Sequence, residues 1–235
     1  MVTIPSTSVN KDITYPTGDG RPVAETPIHR DNLLNLIEML RSWYARDPRV
    51  YISGNMFVYY VAGDPHKHVA PDVFVVRDLP PGQRDYYLVW EEGKGPDLVI
   101  ELTSASTRKE DLKDKFQLYQ DTLKVREYFL FDPYVEYLKP PLQGYRLRKG
   151  KYMPIKRLKG RLPSKVLGLH LEQDGSELRL YDPATGQRVL TPREALAQTA
   201  EALRQEAGAR QQAEAEVARL RRELETLRRQ RPRRR

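Results

Sequence analysis

The alternation of apolar and polar residues divides the first half of the chain into helix-like and strand-like segments. Apolar residues recur at helical spacing after Asp31, a candidate N-cap, and predict a first helix that ends near Asp47-Pro48. Apolar, β-branched runs predict strands at residues 50–52, 56–61, 69–76, 97–103 and 127–131. Hydroxyl side chains at residues 104–107 precede a second helical pattern over about residues 108–122. The order α-β-β-β-α-β predicts an α/β fold with a mixed central sheet.

The segments on either side of this core have a different character. Residues 1–27 are rich in Pro, Thr, Gly and Asp and predict an irregular N-terminal arm. Residues 134–190 predict a β-rich extension, with a tight hairpin at Lys149-Gly150. The sequence therefore predicts an arm at 1–27, a globular domain at 28–190 and a separate tail at 191–235.

The tail predicts one long charged helix that begins at Pro192, a residue suited to a first helical turn. A heptad pattern with coiled-coil tendency runs through Leu196, Thr199, Leu203, Glu206, Arg210, Ala213, Val217, Leu220, Leu224 and Leu227. The pattern is weakest where Glu206 and Arg210 occupy core positions, and the basic residues 231–235 predict a disordered end. Such a helix can self-associate, dock a partner or stand alone.

Composition and charge narrow the function classes. The chain of 235 residues contains no cysteine, which excludes disulfides and thiolate metal sites and favours a cytoplasmic location. The first ten residues lack a signal-peptide pattern, and no apolar run is long enough to span a membrane. The formal net charge is +8, and residues 139–165 carry ten basic side chains and no acidic one. That run indicates a polyanion as partner, or a solvated face.

Two carboxylates in apolar surroundings are the strongest candidates for chemistry. Asp72 begins one predicted strand, and Glu101 lies inside the next, where burial is costly without a positive partner. Lys115, about two turns into the following helix, can fold back over the same sheet edge. Mg²⁺ or Mn²⁺ held by both carboxylates and the Leu102 carbonyl would suit phosphodiester hydrolysis. A structural ion pair between Glu101 and Lys115 is the alternative. The four histidines are scattered, and none is assigned to the site.

The ordered motifs are similar to those of the Uma2 family of restriction-endonuclease-like proteins, which share the PD-(D/E)XK nuclease fold. The resemblance covers roughly residues 25–180 and is carried by Pro71-Asp72-Val73, residues 95–107, Asp111, Lys115, Tyr119 and residues 127–133. It implies a restriction-endonuclease-like αβββαβ core, a divalent metal and DNA as substrate. Asp72 and Glu101 match the two acids of the fold's motif.

The lysine of that motif is displaced in this chain. Thr103 stands where the motif has its lysine, and the resemblance implies that Lys115 on the next helix replaces it. Lys115 would position or deprotonate a water molecule, or neutralise charge on phosphorus; the sequence leaves these roles open. Asp111 and Tyr119 match the family pattern as supporting residues.

Three functions are compatible with these patterns. The first is a metal-dependent DNA endonuclease that acts through Asp72, Glu101 and Lys115. The second is a catalytically inactive DNA-binding or adaptor module that recruits a partner through the C-terminal coiled coil. The third is a structural role through oligomerisation alone. We expect a homo-oligomer, in the simplest case a dimer, to which the C-terminal helix contributes.

Overall fold

The computed structural model describes residues 13–18 and 26–230 of the chain. The chain divides into two compact units, Met1–Val189 and Leu190–Arg235. Predictions for residues 1–12, 19–25 and 231–235 lie outside the described residues. Within the described part, no helix is both long and apolar enough to cross a membrane.

The described residues of the first unit form a few helices and thirteen strands. The helices are α1 (Pro27–Trp43), α2 (Val89–Glu92) and α3 (Lys115–Gln117). Helix α3 continues on both sides into π-helical turns, Glu110–Asp114 and Leu118–Thr122, and we call residues 110–122 the site helix. The strands are β1 (Val50–Ser53), β2 (Val58–Tyr59), β3 (His68–Val69), β4 (Val73–Arg77), β5 (Tyr87–Leu88), β6 (Leu98–Leu102), β7 (Glu127–Phe131), β8 (Leu142–Arg148), β9 (Lys151–Pro154), β10 (Leu162–Pro163), β11 (His170–Asp174), β12 (Glu177–Asp182) and β13 (Gln187–Arg188).

The central sheet has the order β1-β4-β6-β7-β8-β9. Strands β6 and β7 are parallel and joined through the site helix, whereas the other neighbours are antiparallel, so the sheet is mixed. The elements α1, β1, β4, β6, site helix and β7 give the predicted αβββαβ order. The predicted α/β fold class is therefore confirmed.

One predicted core strand lies elsewhere. The run at 56–61 contributes β2 to a small separate sheet of order β3-β2-β5. The predicted strand at 69–76 is two strands, β3 and β4, because Pro71 cannot donate a ladder hydrogen bond between them. The core strands before the site helix are therefore β1, β4 and β6, and β6 is the predicted strand at 97–103.

Helix α1 begins earlier in the chain than predicted. Thr26 is the N-cap, its Oγ1 accepting from the His29 amide at 3.3 Å, and Pro27 occupies the first turn. Asp31, the predicted cap, lies inside the helix and is exposed. The earlier start matters because it places His29 at the N-terminal end of α1.

The central sheet is covered on both faces. One face packs on α1 and on the sheet β10-β11-β12-β13, and the other packs on the site helix and the small sheet. Strands β8 and β9 extend the central sheet, as predicted for the β-rich segment, whereas β10 to β13 form a sheet of their own. With both faces buried, strands β4, β6 and β7 are apolar along most of their length, and Glu101 is conspicuous among them.

The second unit contains α4 (Pro192–Gln230), a helix of 39 residues. Its start is a capping box: Thr191 Oγ1 accepts from the Glu194 amide at 3.2 Å, and Glu194 Oε2 accepts from the Thr191 amide at 2.8 Å. Leu196, Leu203, Val217, Leu220 and Leu224 are exposed along it.

Candidate active site

Asp72 and Glu101 meet at one end of the central sheet. Asp72 immediately precedes β4, and the antiparallel register pairs Val73 with Ile100, so Asp72 lies opposite Glu101. The Leu102 amide donates to Asp72 Oδ2 at 2.6 Å, and the Asp72 amide donates to Glu101 Oε2 at 3.3 Å. Each carboxylate is thus held by the backbone of the neighbouring strand.

Lys115 reaches the same place from the site helix. Its Nζ lies 3.0 Å from Glu101 Oε2 and 3.2 Å from Asp111 Oδ1. Asp111 and Lys115 are four residues apart and therefore share a helix face. Glu101 is fully buried, and the Lys115 side chain is only 11% exposed. The structure brings together the three residues on which the sequence prediction depends.

Tyr119 fixes the other oxygen of Glu101. Its hydroxyl donates to Glu101 Oε1 at 2.6 Å, and burial raises the pKa of Tyr119 well above its usual value, which keeps the donor protonated. Asp111 is also anchored, because the Tyr128 hydroxyl donates to its backbone carbonyl at 3.0 Å. Both supporting residues therefore contact the acids or the lysine.

Sequence reasoning missed His29. Its Nε2 lies 3.5 Å from Asp72 Oδ1, so the N-terminal turn of α1 closes the site beside the first acid. The sequence carried no signal for this contact, since His29 precedes Asp72 by 43 residues in a segment predicted to become helical only later. His68, much nearer in sequence, packs instead on the Phe57 ring at a centroid distance of 4.2 Å.

The charges of Asp72, Glu101, Asp111 and Lys115, the candidate-site cluster, do not balance. Burial raises the pKa of Glu101 to about 8, with the Lys115 ammonium opposing the shift and Asp72 and Asp111 adding to it. Burial also raises the pKa of Asp111. For Asp72 the cost of burial is outweighed by the hydrogen bond from His29 and the charge of Lys115, and its pKa is lowered. Among the described residues, three carboxylates thus face one lysine.

Lys115 is held as an ammonium ion. Burial alone would lower its pKa, but the charges of Glu101, Asp111 and Asp72 outweigh burial and raise it. In this arrangement the lysine has no proton-accepting form near neutral pH. It is therefore suited to stabilising negative charge rather than to removing a proton.

The carboxylate oxygens of Asp72 and Glu101 are of the kind that binds a hard divalent cation. Mg²⁺ is typically bound through one or two carboxylates and keeps several waters. Among the residues that the structure describes, no cluster of three or more His, Cys, Asp or Glu side chains forms a metal centre, so Asp72 and Glu101 would act as a pair. Thr103 Oγ1, just beyond β6, is buried and lacks a hydrogen-bond partner in the described part of the chain. Such an atom is compatible with a water molecule or a phosphate oxygen in the site.

A neighbouring acid is excluded from the cluster. Asp97 is four residues before Glu101 on the same strand face, yet its Oδ2 lies 2.6 Å from Lys94 Nζ and its Oδ1 lies 3.2 Å from Arg126 Nε. It belongs to an ion-pair network at the opposite end of β6.

Together, a mixed sheet, an acid before one strand, an acid inside the next and a lysine from the following helix define a restriction-endonuclease-like nuclease class. The chain belongs to the Uma2 family, described as "Putative restriction endonuclease", whose profile matches residues 4–174. The predicted family is confirmed. Membership indicates a hydrolase of phosphodiester bonds that acts on nucleic acid.

Among solved structures, the chain is similar to a crystal structure titled "a putative nuclease belonging to DUF820" from Anabaena variabilis. The identity is 15%, the TM-score is 0.45, and the match covers 66% of this chain and 85% of the other. No curated protein matches the sequence.

Proposed function

We propose that the protein is a metal-dependent DNA endonuclease whose site consists of Asp72, Glu101 and Lys115. The observation that carries the proposal is the contact of Lys115 Nζ with Glu101 beside Asp72, across elements far apart in sequence. A purely structural ion pair needs one acid for one lysine. Here, within the described residues, three acidic side chains surround a single ammonium, so the group would carry surplus negative charge once all three ionise, and a bound cation would offset that charge.

Asp72 and Glu101 are the residues that would hold Mg²⁺ or Mn²⁺, and the Leu102 carbonyl is the proposed third ligand. When bound, the metal supplies a Lewis acid for a phosphoryl oxygen and lowers the pKa of a water molecule. The Leu102 amide and Tyr119 hydroxyl hold the carboxylates in place before substrate arrives. Positions fixed in advance avoid reorganisation during the reaction.

Lys115 has the task of stabilising charge that develops on the phosphate. Its raised pKa favours this role over that of a general base, which the sequence had left open. Asp111 and Tyr119 are positioning residues: Asp111 orients Lys115, and Tyr119 orients Glu101. The test is cleavage of plasmid DNA by the full chain with Mg²⁺ or Mn²⁺, against the same reaction with EDTA.

The C-terminal helix supports a dimer as the working assembly. Val217 and Leu224 occupy a positions and Leu220 a d position, and all three are exposed. A β-branched residue at a with leucine at d, as in Val217 and Leu220, favours two strands. In a parallel in-register pair, the heptad register of the sequence sets Glu216 opposite Arg221 of a second copy, and Glu223 opposite Arg228. These two pairs of opposite charge would form between two copies of the same helix, and they favour a second copy as the partner.

Charge reversal tests this assembly. The double variant Glu216→Arg, Glu223→Arg should be monomeric by light scattering, since like charges would then face each other. Mixing it with the variant Arg221→Glu, Arg228→Glu should restore a dimer, while Arg222→Glu, at an outer position, should leave the mass unchanged. A wild-type monomer, or reversal without effect, would contradict the proposed pairing. The adaptor alternative predicts that the chain binds DNA but does not cleave it when Mg²⁺ or Mn²⁺ is present.

A further inference from the structure

The ten basic residues of 139–165 do not form one surface. Strand register pairs Leu102 with Phe131 and Phe131 with Leu142, so the start of β8 lies at the same end of the sheet as Glu101. The turn between β8 and β9 lies at the other end, because Arg148 pairs with Lys151 beyond the level of Glu127. At about 3.3 Å per residue, the seven-residue β8 separates the two ends by about 20 Å.

Arg157 anchors a group of cations at the site end. Its guanidinium donates to the Leu142 carbonyl at 2.6 Å and to the Gly160 carbonyl at 2.7 Å. Lys159 stands in the turn that Arg157 braces, with φ of 50°, whereas Lys156 lines a surface pocket that it shares with Arg148. Lys139 lies just before β8, and all of these side chains are exposed.

No acidic residue interrupts the basic run that carries these cations. Residues 139–165 contain no Asp or Glu. Within the described residues, Lys139, Lys156 and Lys159 take part in no ion pair, whereas Arg146 and Arg161 of the same run are paired with Glu127 and Glu172. Exposed cations without partners are the usual contacts of a phosphate backbone.

Their spacing from the acids suits nucleic acid. Strand β8 is two strands from β6, or about 10 Å at the usual strand separation, which corresponds to about three nucleotide steps of a duplex strand. We propose that Lys139, Arg157 and Lys159 bind the phosphates that flank the cleaved bond, and that Arg148 and Lys149 do not. This inference rests on the proposed function. It divides the basic run into a DNA-contacting group at the site end, which we call the DNA track, and basic residues that do not contact DNA.

Two matched double variants test the division. Lys139→Gln with Lys159→Gln removes two charges at the site end, and Arg148→Gln with Lys149→Gln removes two at the far end. Each pair includes one lysine at a turn position with φ of 50°, so the backbone contexts are comparable. Binding of a short labelled DNA duplex is measured in EDTA over a series of salt concentrations, which separates binding from cleavage.

The site-end variant should reduce the magnitude of the slope of log Kobs against log salt by about 2, at about 0.9 per phosphate contact. The far-end variant should keep the wild-type slope. Equal losses in both variants, or no loss at the site end, would overturn the track while leaving the nuclease proposal intact. A wild-type chain that does not bind DNA in EDTA would overturn the proposed phosphate contacts, and plasmid cleavage with Mg²⁺ decides the nuclease proposal separately. Urea unfolding of each variant shows that the fold is retained.

Discussion

Glu101→Gln and Asp72→Asn will each reduce Mg²⁺-dependent cleavage of plasmid DNA by about a thousandfold, a loss typical of removing a group that stabilises the transition state. Both changes keep the shape of the side chain and remove one carboxylate that we propose as a metal ligand. In Glu101→Gln the introduced amide would still meet the Tyr119 hydroxyl, which donates to Glu101 Oε1 in the wild type, so the fold should persist. Nicking over time, read on gels, measures the effect.

The matched control for the acids is Glu110→Gln. Glu110 is exposed on the site helix, next to Asp111 in sequence, and its replacement removes the same charge outside the cluster. Its activity should equal that of the wild type. Full activity in either Glu101→Gln or Asp72→Asn would show that the two carboxylates do not perform the chemistry.

Lys115→Met will abolish cleavage and also destabilise the fold. The methionine retains most of the volume but removes the ammonium that contacts Glu101 and Asp111. Breaking a buried charge pair from one side costs about 3 kcal/mol, because the remaining charge is left without compensation. Urea unfolding in EDTA above pH 8, where Glu101 is ionised, measures this loss, and Lys115→Arg, which keeps the charge, should recover most of the stability.

The loss in Lys115→Met should depend on pH. Glu101 has its pKa raised to about 8 from an ordinary 4.5, so its protonation favours the folded state fully below about 4.5, and that contribution disappears as the pH rises through 8. Without the lysine, which opposes this shift, the pKa rises further. The destabilisation should therefore be small near pH 5 and largest above pH 8. A difference in unfolding free energy between Lys115→Met and the wild type that stays constant from about pH 5 to above pH 8 would contradict this explanation by charge.

The sequence predicted which residues lie together at the candidate site better than it predicted the path of the chain. Asp72, Glu101 and Lys115 were found because a charged residue inside an apolar strand needs a partner, and the strand-helix order limits where that partner can lie. Asp111 and Tyr119 followed from helical spacing and from the family resemblance. Their contacts in the structure agree with that logic, and their catalytic roles remain proposals.

Features set by tertiary contacts were not predictable in the same way. His29 contacts Asp72 only because Thr26 caps α1 and Pro27 begins it. In the sequence this helix start was obscured by Asp31, which is also a suitable N-cap. The run at 56–61 has strand character, but local pattern does not say which sheet a strand joins. Regular α-helical spacing would place Leu112 on the same face as Phe116 and Tyr119, toward the core. Leu112 is exposed instead, since the wider π-helical turns shift the buried face of the site helix.

The most direct test of the account is a crystal of the full chain soaked in Mn²⁺ and measured for anomalous scattering. We predict one strong peak within about 2.5 Å of carboxylate oxygens from both Asp72 and Glu101. Soaked crystals that keep the Lys115 contact to Glu101 and show no peak between the two acids would contradict it.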